Sequence, residues 1–134
     1  MDTVRLKHIS PSVLRIGIAA VFLWFGMSQV MDPAAWAGFV PDYVMAFTGI
    51  AVGTVVYWNG MFEIVFGSLL FFGLFTRFAA LLLALHIMDI AYTVGLNAIG
   101  VRDFGLSVAT VCVFLNGADR FSLDRFRAGD APSS

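Results

Sequence analysis

Four long apolar stretches, separated by short polar connections, are the feature that most constrains the fold of this chain. They lie at about 12–30, 55–75, 77–97 and 101–117 of its 134 residues. A helix needs about 20 predominantly apolar residues to cross a bilayer. Because backbone hydrogen bonds must be satisfied inside the hydrocarbon region, each stretch favours a helix. The sequence therefore predicts one all-α domain over residues 1–134, a transmembrane four-helix bundle.

Composition supports a membrane protein and argues against two other classes. The chain is 60% apolar and 13% charged, whereas soluble domains are about half apolar and a quarter charged. Its net charge is −1, with no basic patch outside the termini, so a nucleic-acid partner has no electrostatic support. Cys112 is the only cysteine, which excludes an internal disulfide and an internal dithiol relay.

The positions of Lys and Arg predict the orientation of the bundle. Arg102 lies on one side of the predicted membrane; on the other lie Arg5, Lys7, Arg15, Arg77, Arg120, Arg125 and Arg127. The positive-inside rule then places both termini in the cytoplasm, in a multi-pass protein of the inner (cytoplasmic) membrane. Residues 118–134 form a charged tail, which we expect to be cytoplasmic and partly disordered.

An aromatic segment connects the first two predicted spans. Its aromatic residues recur at helical spacing, at Trp36, Phe39, Tyr43 and Phe47. Trp and Tyr favour the headgroup region of a bilayer, and Pro33 and Pro41 interrupt any helix here. We therefore predict an interfacial aromatic segment between helices 1 and 2, in preference to a lid that gates a ligand.

Ionisable side chains within the predicted spans mark a candidate site. A charged residue near the centre of a span costs about 2.5 to 3.5 kcal/mol, so each must be paired, protonated or hydrated. Residues three and four apart share a helix face, and this spacing gives every span a polar face. We expect an outer cluster, in the outer half of the bundle, of Gln29, Asn59, Glu63, His86, Asp89, Arg102 and Asp103. Arg15 belongs to the inner half.

The residue types in the outer cluster suggest distinct roles. The candidate catalytic residues are Glu63, His86 and Asp89, because carboxyl and imidazole groups exchange protons. Ligand binding is assigned to Arg102, Asp103, Asn59 and Gln29, and Arg15 and Arg77 are structural polar residues. An equally weighted alternative is a buried network of ion pairs and hydrogen bonds that fixes the register of the helices.

Metal binding is disfavoured. His86 and Asp89 have i, i+3 spacing, but only one His lies outside the N-terminus and no Glu-x-x-His repeat is present. We therefore predict no metal site.

Several short motifs follow one another along the chain. They are Leu14-Arg15, Phe22-Leu-Trp-Phe-Gly26, Asn59-Gly-Met-Phe-Glu63 with Gly67, Gly73-Leu-Phe-Thr-Arg77, and Arg102-Asp103. In this order and spacing the sequence resembles the DoxX family of small four-span bacterial and archaeal membrane proteins. By position, the family's polar residues correspond to Arg15, Glu63, Arg77 and Arg102.

The resemblance implies a membrane subunit of a quinone- or sulfur-linked redox complex, of the thiosulfate:quinone oxidoreductase type. It implies no covalent cofactor; a bound quinone or a redox partner subunit would have to serve electron transfer. Relatives share a fold more reliably than they share an activity. Two alternatives therefore stay open: a non-catalytic scaffold or assembly protein, and a small transporter that works as a homo-oligomer. Whether the chain is itself an enzyme is open at this point.

Overall fold

Four helices of the chain are long and apolar enough to cross a membrane. The computed structural model describes residues 2–129, and no strand occurs in that range. The long helices are α1 (Thr3–Met31), α4 (Val52–Phe72), α5 (Thr76–Val94) and α6 (Ala98–Asn116). The shorter elements are α2 (Pro33–Trp36), a 3₁₀ turn (Ala37–Phe39), α3 (Asp42–Thr48) and α7 (Leu123–Arg127). The fold is all-α, as predicted, with one long helix for each apolar stretch.

The two ends of the bundle carry different connections. We call the end with residues 32–51 the segment end and the end with residues 118–129 the tail end. Within the apolar stretch of each long helix, only 28–33% of the residues are buried. Most of the surface of each span therefore lies on the outside of the bundle.

α1 is longer than the predicted first span. It has 29 residues and runs through Pro11 without a break, which corresponds to about 44 Å at about 1.5 Å per residue. The hydrocarbon core of a bilayer is only about 30 Å thick. The helix begins at Thr3 rather than near residue 12 because helix formation does not require apolar residues. Its first turns, with exposed Arg5 and Lys7, extend beyond the apolar layer at the tail end.

Gly73 sets the turn between α4 and α5. Its φ of 71° lies in the left-handed region, which glycine adopts without a steric penalty. The N–H groups of Gly73 and Leu74 donate to carbonyls in the last turn of α4, at 3.1 and 2.9 Å. This pair of bonds ends a helix. α4 therefore ends at Phe72 rather than at the predicted residue 75.

Asn97 starts α6 earlier than the apolar pattern predicts. Its Oδ1 accepts hydrogen bonds from the N–H groups of Ile99 and Gly100, both at 3.0 Å, which is the geometry of a helix N-cap. α6 therefore begins at Ala98 rather than at residue 101, and it has 19 residues. The fourth span is thus as long as α5, which also has 19 residues.

The bundle consists of two closely packed helix pairs, α1 with α4 and α5 with α6. Less extensive contacts join α4 to α5 and α1 to α6. A hydrophobic core between the pairs includes Phe22, Leu70 and Leu83. The α1–α4 pair is closest where Gly26 faces Gly60, since a Cβ atom on Gly60 would lie 2.7 Å from the Gly26 carbonyl oxygen. Small residues at such positions let two helix backbones approach each other.

The first part of the tail, residues 118–129, docks on the bundle. Asp119 accepts hydrogen bonds from the Ser12 hydroxyl at 2.7 Å and from Arg15 Nε at 2.5 Å. Arg15 is 1% exposed and also donates to the carbonyls of Leu70 and Phe71, at 2.8 and 2.5 Å. The buried guanidinium group holds the tail because Asp119 supplies its counter-charge. Residues 130–134 of the predicted tail lie outside the described part of the chain.

Asp124 provides a second attachment of the tail. Its carboxylate accepts hydrogen bonds from the Phe75 N–H, the Thr76 N–H and the Thr76 hydroxyl, each at 2.8 Å. Its own N–H donates to the Gly73 carbonyl at 2.9 Å. The tail therefore lies against the α4–α5 turn.

Both tail carboxyl groups have a pKa below the ordinary value of 3.8. Burial by itself raises the pKa of Asp119, but hydrogen bonds from Arg15, Ser12 and the Phe121 N–H outweigh it. The pKa of Asp124 is lowered in the same way, since hydrogen bonds from Thr76 and the Phe75 N–H outweigh burial. Both carboxylates therefore stabilise the folded state when they are ionised.

The close approach of α1 and α4 predicts that replacing Gly60 and replacing Gly17 by alanine affect stability differently. Gly60→Ala should lower the free energy of unfolding by about 1–3 kcal/mol, because the new methyl group meets the backbone carbonyl oxygen of Gly26, which cannot move aside. Gly17→Ala is the matched control, since nothing lies within 4 Å of a Cβ atom there. It should be neutral or slightly stabilising. Thermal unfolding in detergent micelles measures both, and equal midpoints would contradict the close approach.

The contact between Arg15 and Asp119 predicts a dependence of stability on pH. Asp119→Asn should destabilise the bundle at neutral pH by about 3–5 kcal/mol, because the Arg15 charge stays buried without its counter-charge. In the native chain the pKa of Asp119 is lowered on folding, so its contribution is complete above pH 3.8 and is lost as the pH falls through the folded value. Unfolding followed by circular dichroism across acidic pH measures this dependence.

The control for this prediction is Asp2→Asn. Asp2 is exposed and its side chain makes no capping hydrogen bond, so the change should stay within about 0.5 kcal/mol. At strongly acidic pH the wild type should lose its stability advantage over Asp119→Asn. If that advantage stays unchanged, the stability of the bundle does not depend on ionisation of Asp119.

Candidate functional site

A cavity of about 520 Å³ lies at the segment end, between the long helices and the connecting segment. Its walls are mainly apolar and aromatic, and they include Phe22, Phe25 and Trp36. Polar side chains that line it include Ser28, Gln29, Asn59, Glu63, Asp89, Thr93, Arg102 and Asp103. Apart from His86, every residue of the predicted outer cluster thus borders this cavity.

Glu63 lies at the centre of a hydrogen-bonded group that faces the cavity. Its side chain is 3% exposed. Gln29 Nε2 donates to Glu63 Oε2 at 3.0 Å, and Asn59 Nδ2 donates to Glu63 Oε1 at 3.4 Å. Asn59 Nδ2 also donates to Gln29 Oε1 at 2.6 Å. These three side chains form a ring of hydrogen bonds that joins α1 to α4.

His86 approaches Glu63 from α5. Its Nε2 atom lies 3.3 Å from Glu63 Oε1. The two atoms are close enough for an ion pair but are not aligned for a hydrogen bond, and this buried Nε2 has no hydrogen-bond partner within residues 2–129. The imidazole ring packs on Phe62 with 4.6 Å between ring centres. His86 does not border the cavity, so Glu63 is the residue that connects it to the cavity.

Arg102 and Asp103 form an ion pair at the start of α6. Arg102 Nη2 and Nε lie 2.8 and 2.9 Å from Asp103 Oδ1. The guanidinium carbon is 4.9 Å from the centre of the Phe25 ring, which is a cation–π contact. The Asp103 side chain is buried, while about half of the Arg102 side chain is exposed. Within the described chain Nη1 of Arg102 donates no hydrogen bond, so this group is free to meet a ligand.

Asp89 is the cavity carboxyl group with the fewest interactions. It borders the cavity and is exposed. Between residues 2 and 129 it takes part in no ion pair or side-chain hydrogen bond. Its charge can therefore interact with whatever enters the cavity.

The connecting segment forms one wall of the cavity. Its helices follow the two prolines, with α2 starting at Pro33 and α3 starting after Pro41. Trp36 Nε1 donates to Ser28 Oγ at 3.1 Å, and its ring lies 5.6 Å from the ring of Phe25. The tryptophan that borders the cavity thus also ties the segment back to α1.

Arg15 and Arg77 lie at the tail end, away from the cavity. Arg77 Nη2 reaches the Leu115 carbonyl in the last turn of α6 at 3.5 Å. The interpretation from the sequence missed their neighbours Asp119 and Asp124. A signal for Asp119 was present, because an arginine within a span needs an acidic partner and the nearby tail contains acidic residues.

No group of three or more His, Cys, Asp or Glu side chains in the described part of the chain is arranged to hold a metal ion. The polar groups at the cavity are suited to hydrogen bonding, to holding an anion and to proton exchange.

The sequence model of the DoxX family matches residues 10–96, which cover most of α1, the connecting segment, α4 and α5. The motif Arg102-Asp103 lies beyond the matched residues. No curated protein and no solved structure matches the chain.

The hydrogen-bonded ring predicts that Gln29 and Glu63 are energetically coupled. Gln29→Leu removes a donor from a buried carboxylate, which costs about 1–3 kcal/mol. The double variant Gln29→Leu with Glu63→Leu removes both groups. Its loss of unfolding free energy should be smaller than the sum of the losses in the two single variants. We expect a coupling energy of about 0.5–3 kcal/mol in a double-mutant cycle of unfolding free energies.

A distant pair provides the control for this cycle. Ser107 donates to the Ala84 carbonyl at 3.0 Å within the other helix pair and shares no partner with Gln29. Gln29→Leu and Ser107→Ala should therefore be additive within about 0.5 kcal/mol. Additivity of Gln29→Leu with Glu63→Leu would show that the ring does not form.

Proposed function

This chain belongs to the DoxX family of membrane proteins, and from that premise we propose that it is a membrane subunit of a quinone- or sulfur-linked redox complex. One observation supports the proposal most strongly: the aromatic cavity that carries charged groups at its wall. In this proposal the cavity receives the headgroup of a quinone.

The size and chemistry of the cavity fit such a ligand. Small-molecule pockets commonly measure about 300–1,000 Å³ and are apolar with a few polar groups, and this cavity measures about 520 Å³. Phe22, Phe25 and Trp36 offer aromatic surfaces for a flat ring. Arg102 and the amide of Gln29 offer hydrogen-bond donors to a carbonyl oxygen.

Each polar residue then has a defined task. Arg102 is held by Asp103 and Phe25, so its free Nη1 is positioned to donate to a ligand oxygen or an anion. The carboxyl groups of Asp89 and Glu63 accept and release protons at the cavity wall, and the imidazole of His86, 3.3 Å from Glu63, is the next group that can take up a proton. A quinone supplies the redox chemistry when it is bound. The electrons come from a partner subunit, because the single Cys112 cannot form a dithiol relay.

The same proposal includes the membrane orientation. Lys and Arg are concentrated at the tail end, so the positive-inside rule puts both termini in the cytoplasm and the cavity in the outer half of the inner membrane. The exposed aromatic side chains Tyr43 and Phe47 of the connecting segment then lie in the outer headgroup region.

The alternative function is that of a non-catalytic scaffold. It is favoured by the ring of Gln29, Asn59 and Glu63, in which both carboxylate oxygens accept hydrogen bonds from the chain itself. Such a ring also serves to fix the register of α1 against α4. A ligand-binding measurement separates the two functions.

Binding of a quinone should quench the fluorescence of Trp36. Trp24→Phe with Trp58→Phe leaves Trp36 as the only tryptophan, since the chain has three, and both replaced side chains are exposed. Short-chain ubiquinone and menaquinone analogues are titrated into the purified protein in micelles. Arg102→Gln should weaken binding about tenfold or more, because a charge-assisted hydrogen bond contributes about 1.5–3 kcal/mol.

Arg77→Gln is the charge-matched control. Arg77 lies at the other end of the bundle, so this substitution should leave the Kd for the quinone unchanged. Saturable binding that is insensitive to Arg102→Gln would contradict the assigned role of Arg102. Absence of any quenching by either quinone class would favour the scaffold.

A further inference from the structure

The docked tail presents an apolar and basic surface that the proposed function does not use. We call it the tail face and define it as Arg120, Phe121, Leu123, Phe126 and Arg127. Its apolar side chains are exposed, and Phe126 is 72% exposed. In a segment surrounded by water these side chains would be unfavourably placed.

The depth of the tail face follows from its attachments. Asp124 binds the Phe75 and Thr76 N–H groups, where α5 starts, so the tail face lies beside the tail end of the spans. Phe72 and Phe78 flank the same turn, and both are more than half exposed. Phe78 belongs to an apolar span, so lipid must cover it. The tail face therefore continues a lipid-facing surface at the level of the headgroups.

The charge of the tail face matches one kind of lipid. Asp119 and Asp124 are occupied by contacts with the bundle, whereas Arg120 and Arg127 are exposed. Their guanidinium groups lie over aromatic rings: Arg127 is 5.8 Å from the centre of Phe75, and Arg120 is 6.0 Å from the centre of Phe121. Basic groups beside aromatic side chains suit the anionic headgroup region of a bilayer.

We propose that the tail face binds the headgroups of anionic phospholipids, with Phe121, Leu123 and Phe126 inserted among the upper acyl chains. Arg120 and Arg127 pair with the lipid phosphates. The bilayer is a better partner for this surface than a protein, because the surface is continuous with side chains that lipid already covers. The site is at the opposite end of the bundle from the cavity, so its test is independent of the proposed function.

A fluorophore on the tail tests the proposal in the full chain. Ala128→Cys provides an exposed attachment point next to α7, in a Cys112→Ala background that removes the native thiol. The labelled protein is reconstituted into phosphatidylcholine vesicles with a minor share of phosphatidylglycerol. In one sample phosphatidylglycerol carries a nitroxide quencher near the top of its acyl chain, and in a second sample phosphatidylcholine carries it.

Quenching should be stronger with the nitroxide on phosphatidylglycerol than on phosphatidylcholine. Arg120→Gln and Arg127→Gln should each weaken the apparent binding of phosphatidylglycerol by about fivefold. The preference should also fall as salt is added, because exposed charges are screened. Phe126→Ser with Leu123→Ser should reduce quenching by both lipids, since it removes the inserted side chains.

The matched control is the double variant Arg5→Gln with Lys7→Gln. It removes two positive charges from the same end of the bundle but none from the tail face, and both residues are exposed. Its lipid preference should stay close to that of the wild type. Equal quenching by the two lipids, or an equal loss in this control, would overturn the role of the tail face in anion binding. A label that neither lipid quenches would place the tail face against water or a protein and would also overturn the proposal.

Discussion

The structure depends on how the spans neutralise charged side chains in a medium that does not solvate them. A charge near the centre of a span costs several kcal/mol unless it is paired or hydrated. At the tail end, Arg15 is neutralised by Asp119 and by two carbonyl oxygens of α4. Towards the segment end, Glu63 receives two amide donors and lies beside His86. These contacts join α1 to α4 and to the tail, and they place His86 of α5 beside the Glu63 carboxyl group. Charge compensation therefore accounts for much of the arrangement of the helices.

Apolar length and polar spacing predicted the four spans and most of the candidate site, because both follow from local periodicity. Glu63, Asp89 and Arg102 do border one cavity. The helix ends were less predictable, since single residues set them. The left-handed backbone of Gly73 ends α4, and the side chain of Asn97 starts α6. Hydropathy does not detect either effect, which is why the fourth span was predicted to be shorter than it is.

The remaining differences arise from contacts that local patterns do not contain. Asp119 is 104 residues from Arg15 in the sequence, so no local pattern pairs the two side chains. Their contact helps to hold residues 118–129 against the bundle. His86 and Asp89 were both expected in the outer cluster, but residues three apart on an α-helix differ by about 60° around its axis. That angle is enough for Asp89 to border the cavity while His86 contacts Glu63 and does not border it.

The two ends of the bundle differ in how completely their polar groups are satisfied, and this difference supports the choice of the cavity as the proposed site. At the tail end, Arg15 donates from all three of its nitrogen atoms to Asp119 or to backbone carbonyls. Around the cavity, Nη1 of Arg102, Nε2 of His86 and the Asp89 carboxylate have no hydrogen-bond partner within residues 2–129. Of these groups only His86 Nε2 is buried, and an unsatisfied buried group costs about 1–3 kcal/mol. Arg102 is about half exposed and Asp89 is exposed, so a molecule in the cavity can reach both. A ligand that carries both donors and acceptors would give Arg102 and Asp89 partners, and for this reason we propose the cavity, rather than the Arg15 cluster, as the ligand site.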